Sequence, residues 1–162
     1  MISTVERILF LREIPLLSGF SLDELWQVAK VVDEESFEKG ETFIWEGDVG
    51  DALYLILSGD VLVHQGEKEL NRQGPGGMIG ELALLDNEPR SASITALTEV
   101  QSLRIDRGQF EDIMHANPAA AIGVIKVLTR RLRDQSDRTP GLTKEQMEKL
   151  AQEQPSDNKE ST

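Results

Sequence analysis

Apolar residues fall into three rhythms along this chain. Over residues 2–32, Val5, Ile8 and Leu9, then Leu22, Leu25, Trp26 and Ala29, recur at helical spacing, which predicts two helices. Ser21 followed by Glu24 is a capping-box signal for the second, and Pro15 and Gly19 mark the break between them. Trp26 falls on the apolar face of its helix, so it and Trp45 are expected in the core or at its edge.

From about residue 35 to 105 the rhythm shortens. "TFIW", "ALYLIL", "DVLVH", "SASITAL" and "VQSLRI" are short, rich in β-branched or aromatic residues, and often alternate. Turn signals separate them: "EGDVGD", "LSGD", "HQGEKE", "RQGPGG" and "LDNEP". That punctuation predicts a sandwich or barrel of short antiparallel strands. Gly47, Gly50 and Gly59 are expected where φ is positive or where backbones approach closely.

The helical rhythm then returns. Asp106 caps a helix from Arg107 to about His115, and Asn117-Pro118 opens a longer one reaching about Gln135. Ile122, Ile125, Leu128 and Leu132 share one face of it. Arg130, Arg131 and Arg133 crowd its end, where cations suit the helix dipole. From Ser136 on the chain turns polar, with a weak helix expected after Thr143 and disorder over the last eight residues. The expected organisation is one domain over residues 1–136 and a polar tail over 137–162, mainly β with flanking helices.

Composition narrows the function. The 162 residues carry a net charge of −12 and no cysteine. An acidic surface disfavours nucleic acid, whose affinity for proteins comes mostly from Lys and Arg. A local basic pocket for a small anion remains compatible, because charges are screened over about 8 Å at physiological salt. Without cysteine there is no disulfide framework and no thiolate metal site. Glu6, Arg7, Arg12 and Glu13 interrupt any secretory apolar run, and no window is long and apolar enough for a membrane span. A cytoplasmic setting is expected. His64 and His115 lie too far apart in sequence to suggest a metal site, and no nucleophile–base–orienter set is visible. The chain is therefore not read as an enzyme, and no catalytic or metal-binding residue is expected.

One stretch concentrates chemistry: "GELALLDNEPRSAS", Gly80 to Ser93. "ELAL" is one helical turn entered by a glycine, and a helix start offers unpaired N–H groups to an anion. Arg90 returns on the next strand with a guanidinium that can grip two oxygens of one phosphate. Glu81 suits a sugar hydroxyl, and Ser91 adds a hydroxyl donor. These parts describe a sugar-phosphate pocket. The same spacing equally describes a surface salt bridge between Glu81 and Arg90 around a glycine turn, and by themselves the residues favour that plainer reading.

A resemblance shifts the balance. "GELALLDNEPRSAS" resembles the phosphate-binding cassette of cyclic nucleotide-binding domains, Gly-Glu-x-x-Leu, a variable loop, then Pro-Arg-x-Ala. "EGDVGDALYLILSGDVLV" resembles that family's glycine-punctuated strands. "PLLSGFSLDELWQVA" resembles its leading helices, and "ANPAAAIGVIKVLTRRL" its closing helix. The similarity spans about residues 8–136. It implies an eight-stranded, jelly-roll-like β-roll (a double-stranded β-helix) with N-terminal helices and a long C-terminal helix.

Carried over by position, the resemblance implies that Arg90 takes the cyclic phosphate and Glu81 the ribose 2′-hydroxyl. The backbone of Gly80, Leu82 and Ala83 would line the phosphate pocket, with Ser91 contributing its hydroxyl. Gln135 would fall where a helix residue meets the base, and Ser136 where a partner subunit's residue does. The implied ligand is cAMP or cGMP, with no further cofactor; Ser91 does not choose between the bases. The implied role is a sensor that couples ligand binding to movement of the C-terminal helix, without catalytic or DNA-binding output of its own. Its partners would be an output domain or protein, or a second copy paired through the 118–135 helix. The rival is a ligand-free roll serving as a protein interaction module.

Overall fold

The computed structural model describes residues 1–138 and 141–152. Contacts divide the chain into two compact units, Met1–Val127 and a second beginning at Leu128, so the division falls inside a helix.

The first unit opens with α1 (Thr4–Arg12), a 3-10 turn (Pro15–Leu17) and α2 (Leu22–Val31). Ser3 with Glu6 and Ser21 with Glu24 form capping boxes at the two helix starts. Each pairs two backbone donors that the helix cannot satisfy itself. Eight strands follow: β1 (Asp33–Phe37), β2 (Thr42–Ile44), β3 (Ala52–Ser58), β4 (Val61–Gln65), β5 (Lys68–Gln73), β6 (Met78–Ile79), β7 (Ser93–Ala96) and β8 (Val100–Asp106). A short helix, α3 (Glu81–Asp86), interrupts them between β6 and β7. After β8 come α4 (Arg107–Ala116) and α5 (Pro118–Arg138), and the second unit contains α6 (Lys144–Gln152).

The strands form two four-stranded antiparallel sheets, in the orders β1-β8-β3-β6 and β2-β7-β4-β5. Sequence neighbours are mostly split between the sheets, which makes the unit a roll rather than two meanders. This is the β-roll with flanking helices and a long helix after the sheets that the sequence led us to expect. The reading of the strands picked out five of the eight. It missed β1 ("DEESF") and β5 ("KELNRQ"), which are polar and exposed along much of their length, and β6, which has two residues. β5 buries no residue, β1 buries only Phe37, and β6 is too short to alternate, so periodicity does not reveal them.

The interior lies between the sheets. Phe37, Ala52, Tyr54, Ile56, Ile79 and Val100 from one sheet meet Ile44, Val61, Ile94 and Ala96 from the other. Phe37 stacks on Phe43 at 3.8 Å between ring centroids, and Tyr54 sits edge-on to both. The alternate residues of β3 and β8, Leu53, Leu55, Leu103 and Ile105, are fully buried on the opposite face of the first sheet. Both faces of that sheet are therefore covered, which is why "ALYLIL" is almost continuously apolar.

The helices depart from expectation in which face they bury. In α1 the buried residue is Leu11, while Val5 and Leu9 are exposed. In α2, Leu25, Val28 and Ala29 are buried, whereas Trp26 is 44 % exposed and Leu22 is more so. Trp45 is also exposed, at 57 %. The expected placement of both tryptophans in or beside the core is therefore corrected. In α5 the buried residues are Ala120 and Val124, and the predicted apolar stripe instead leaves Ile122, Ile125 and Leu132 exposed. The buried face of α5 is its small-residue face: a Cβ on Gly123 would stand 2.2 Å from the carbonyl oxygen of Leu16.

Of the glycines singled out, Gly47 and Gly59 have positive φ, and Gly50 is a close approach. Asp106 caps α4, and Thr143 forms a reciprocal hydrogen-bonded cap with Gln146 at the start of α6. The disorder expected over the last eight residues lies outside the described residues. No helix among the described residues is long and apolar enough to cross a membrane.

Candidate functional site

The segment from β6 to β7 is built around two glycines and one arginine. Gly80 ends β6 with φ +88 and serves as the N-cap of α3. An L-residue rarely adopts that conformation, and a Cβ there would also stand 2.3 Å from Nη1 of Arg90. At the other end Asn87 takes the left-handed conformation that stops α3. Two residues later Pro89 bridges Val49, and Arg90 is pinned by its backbone. Its N–H donates to the Asp48 carbonyl and its carbonyl accepts from Gly47 N–H, both at 2.8 Å. Arg90 thus lies just ahead of β7, in a bridged turn rather than on the strand itself.

Its side chain runs inward and is only 8 % exposed. Nη1 donates to the Gly80 carbonyl at 2.7 Å, and Nη2 donates to the Ala52 carbonyl. Among the described residues no carboxylate oxygen lies within ion-pairing distance of it, and the rest of its five N–H donors have no hydrogen-bond partner. Burial pulls its pKa below the ordinary arginine value; Tyr54 and Asp51 act the other way, and Arg107 adds to the fall. An arginine nonetheless stays charged at any physiological pH. The outcome is a buried cation in a chain of net charge −12, bonded to carbonyl dipoles rather than to an anion.

Gly50 forms the opposite wall. A Cβ on it would stand 2.4 Å from Ala83 Cβ and 2.6 Å from Arg90 Nε. The guanidinium, α3 and the loop before β3 therefore meet in one narrow slot. Glu81, the first residue of α3, is 2 % exposed. The structure brings Gly80, Ala83 and Arg90 together and buries Glu81 beside them in sequence. Leu82 and Ser91 are exposed next to these residues. Asp86, Asn87 and Glu88 are exposed as well, and the Asp86 carboxylate accepts from Glu88 N–H, so these acids belong to the turn surface. Gln135 is exposed on the part of α5 that belongs to the second unit, and Ser136 bonds back to the Leu132 carbonyl within that helix.

Two arginines at the end of β8 went unnoticed in the sequence. Arg104 pairs loosely with Glu35 and Asp51, at 3.8 and 3.6 Å. Arg107 donates to the carbonyls of Gly50, Ala83 and Leu84 and to the side-chain oxygen of Asn87, at 2.6 to 3.1 Å. A signal for Arg107 was available. A cation in the first turn of a helix opposes the macrodipole, so an arginine directly after a cap calls for another partner.

The histidines have local roles. His64 contacts the Gly66 carbonyl and Thr95 Oγ1, and His115 contacts the Glu111 carbonyl in the last turn of α4. No group of metal-ligating side chains occurs among the described residues.

Against known proteins, the family model described as "Cyclic nucleotide-binding domain" matches residues 34–117, about half of the chain. The chain belongs to the cyclic nucleotide-binding domain family. A cAMP-dependent protein kinase regulatory subunit from Emericella nidulans is 40 % identical over 107 residues, covering 65 % of this chain and 26 % of that protein. A CRP-like cAMP-activated global transcriptional regulator from Mycobacterium tuberculosis is 31 % identical over 150 residues, covering 85 % of this chain and 67 % of the regulator. Among solved structures, a cyclic nucleotide-binding domain from Methylobacillus flagellatus superposes with a TM-score of 0.73 at 27 % identity, covering 86 % of this chain and 85 % of that one. The chain spans about a quarter of the length of the kinase regulatory subunits it matches. Membership in a family of regulatory domains accords with a non-enzymatic module.

Proposed function

We propose that this chain is a sensor domain that binds cAMP or cGMP and reports occupancy through α5. Arg90 takes the cyclic phosphate and Glu81 the ribose 2′-hydroxyl. The backbone of Gly80, Leu82 and Ala83 lines the phosphate pocket, Ser91 adds a hydroxyl, and Gln135 meets the base. The observation that carries this reading is the buried Arg90 guanidinium, paired with carbonyls but with no carboxylate among the described residues. Burying a charge is costly unless it is compensated. A doubly oxygenated anion accepting two parallel N–H bonds would supply that compensation, and a cyclic phosphodiester has that shape. The similar kinase subunit is named as cAMP-dependent and the CRP-like regulator as cAMP-activated, which supports the same ligand class.

Ligand acts by population shift, favouring whichever arrangement of α5 it binds more tightly. Ile122, Ile125 and Leu132 are exposed at three- and seven-residue spacing along α5, a seam suited to a second copy or to an output domain. Nucleic acid is not assigned to this domain, in view of its −12 charge, and a cytoplasmic setting follows from the regulatory reading.

Thermal unfolding with added nucleotide tests the assignment. Ligand at about 100 times its dissociation constant adds about 2.7 kcal/mol, so the transition should rise clearly. No shift with millimolar cAMP or cGMP would overturn it. A second reading, a ligand-free interaction module, has one observation in its favour. A groove of about 290 Å³ between α2 and α4, floored by Phe20, Val28, Val31 and Ile113, contains none of the cassette residues.

A further inference from the structure

We propose that Arg107 is the positioning residue that fixes the slot in which Arg90 works. This inference rests on the nucleotide-binding reading and assigns it a residue that touches no part of the implied ligand. The guanidinium of Arg107 spans two separate segments. Nη2 donates to the Gly50 carbonyl at 2.9 Å and to the Ala83 carbonyl at 3.0 Å. Nη1 donates to the Leu84 carbonyl at 3.1 Å and to Asn87 Oδ1 at 2.6 Å.

Gly50 and Ala83 are the two walls that close on the Arg90 side chain. One planar fork therefore sets their separation. The same fork takes up carbonyls at the C-terminal end of α3, which a six-residue helix otherwise leaves without intrahelical partners. It also ties Asn87, the residue that stops α3, to the start of α4. The backbone of Arg107 completes the tie, its N–H donating to the Asp51 carbonyl at 2.8 Å. The cassette helix, the loop before β3 and the first turn of α4 are thereby linked through one side chain. Lysine cannot replace it, because an ammonium is a compact donor that does not reach four acceptors spread over two segments.

Arg107→Lys and Arg107→Ala in the full chain test this by calorimetry with cAMP, cGMP and adenosine, alongside amide hydrogen exchange of ligand-free protein. The expected result is at least about a tenfold loss of affinity for the cyclic nucleotide in both variants, with adenosine, which lacks the phosphate, unaffected. Amides of residues 82–86 should exchange faster in both. Full affinity and unchanged exchange in Arg107→Lys would overturn the proposal, and so would an equal loss for adenosine. A wild-type chain that binds neither cyclic nucleotide defeats the functional reading instead. The exchange comparison, run without ligand, still decides separately whether Arg107 holds α3.

Discussion

Gly50 and Arg90 occupy one shared volume: a single methyl group on Gly50 would lie 2.6 Å from Arg90 Nε and 2.4 Å from Ala83 Cβ. Neither of the two groups it meets has an easy retreat. Ala83 sits on α3, and the arginine is bonded at both terminal nitrogens. Gly50→Ala should therefore destabilise the fold by about 1–3 kcal/mol, the usual cost of overpacking. Urea denaturation measures this, and cyclic nucleotide affinity should fall with it.

Arg90→Ala should weaken cyclic nucleotide binding by at least about tenfold. A charged hydrogen bond contributes about 1.5–3 kcal/mol, and a two-pronged contact more. Calorimetry on the wild type and variant provides the comparison. Equal affinities would remove the arginine from the site.

Gly123→Ala tests the seating of α5. Helix propensity alone favours alanine over glycine by about 1 kcal/mol. The new Cβ, however, would stand 2.2 Å from the Leu16 carbonyl oxygen, and that neighbour is backbone. The steric effect should win, giving a net loss of stability on chemical denaturation. A gain would mean that α5 lifts from the 3-10 turn without cost.

Acid sensitivity should report on Glu34. Burial works against its ionised form, but hydrogen bonds from Ile2 N–H and the Arg7 guanidinium outweigh that and hold its pKa below the ordinary glutamate value. A depressed folded-state pKa adds stability that is fully present above the unfolded value, about 4.3, and lost as pH falls through the folded one. Glu34→Gln should lower stability at neutral pH and flatten the decline below about pH 4.3. Parallel pH curves for the two proteins would show that the contact adds nothing.

Local signals carried far in this chain. The capping pair Ser21–Glu24, the Asp106 cap, the proline opening α5 and the glycine turns at Gly47 and Gly59 are all in place. Each involves residues within a turn of one another, so the sequence contains both partners. The cassette was legible for the same reason: Gly80, Glu81, Ala83 and Arg90 lie within eleven positions. Face assignments fared worse. Leu9, Leu22, Trp26 and Ile122 have the right hydropathy and spacing for burial, yet Leu11, Val28, Ala120 and Val124 took those places.

What the sequence determined by itself was the succession of elements and the chemistry gathered in one short stretch. What only the tertiary structure decided was which helical face turns inward and which distant groups close on Arg90. Gly50 and Ala52 lie 40 and 38 positions from it in the chain and reach it only once the sheets pair, and Arg107, 17 positions on, acts on it through Gly50 and Ala83. Hydrophobic burial is non-directional and sets the amount of apolar surface removed from water, not its partner. The choice of partner falls to close packing and to the geometry of hydrogen bonds, both of which depend on residues far apart along the chain.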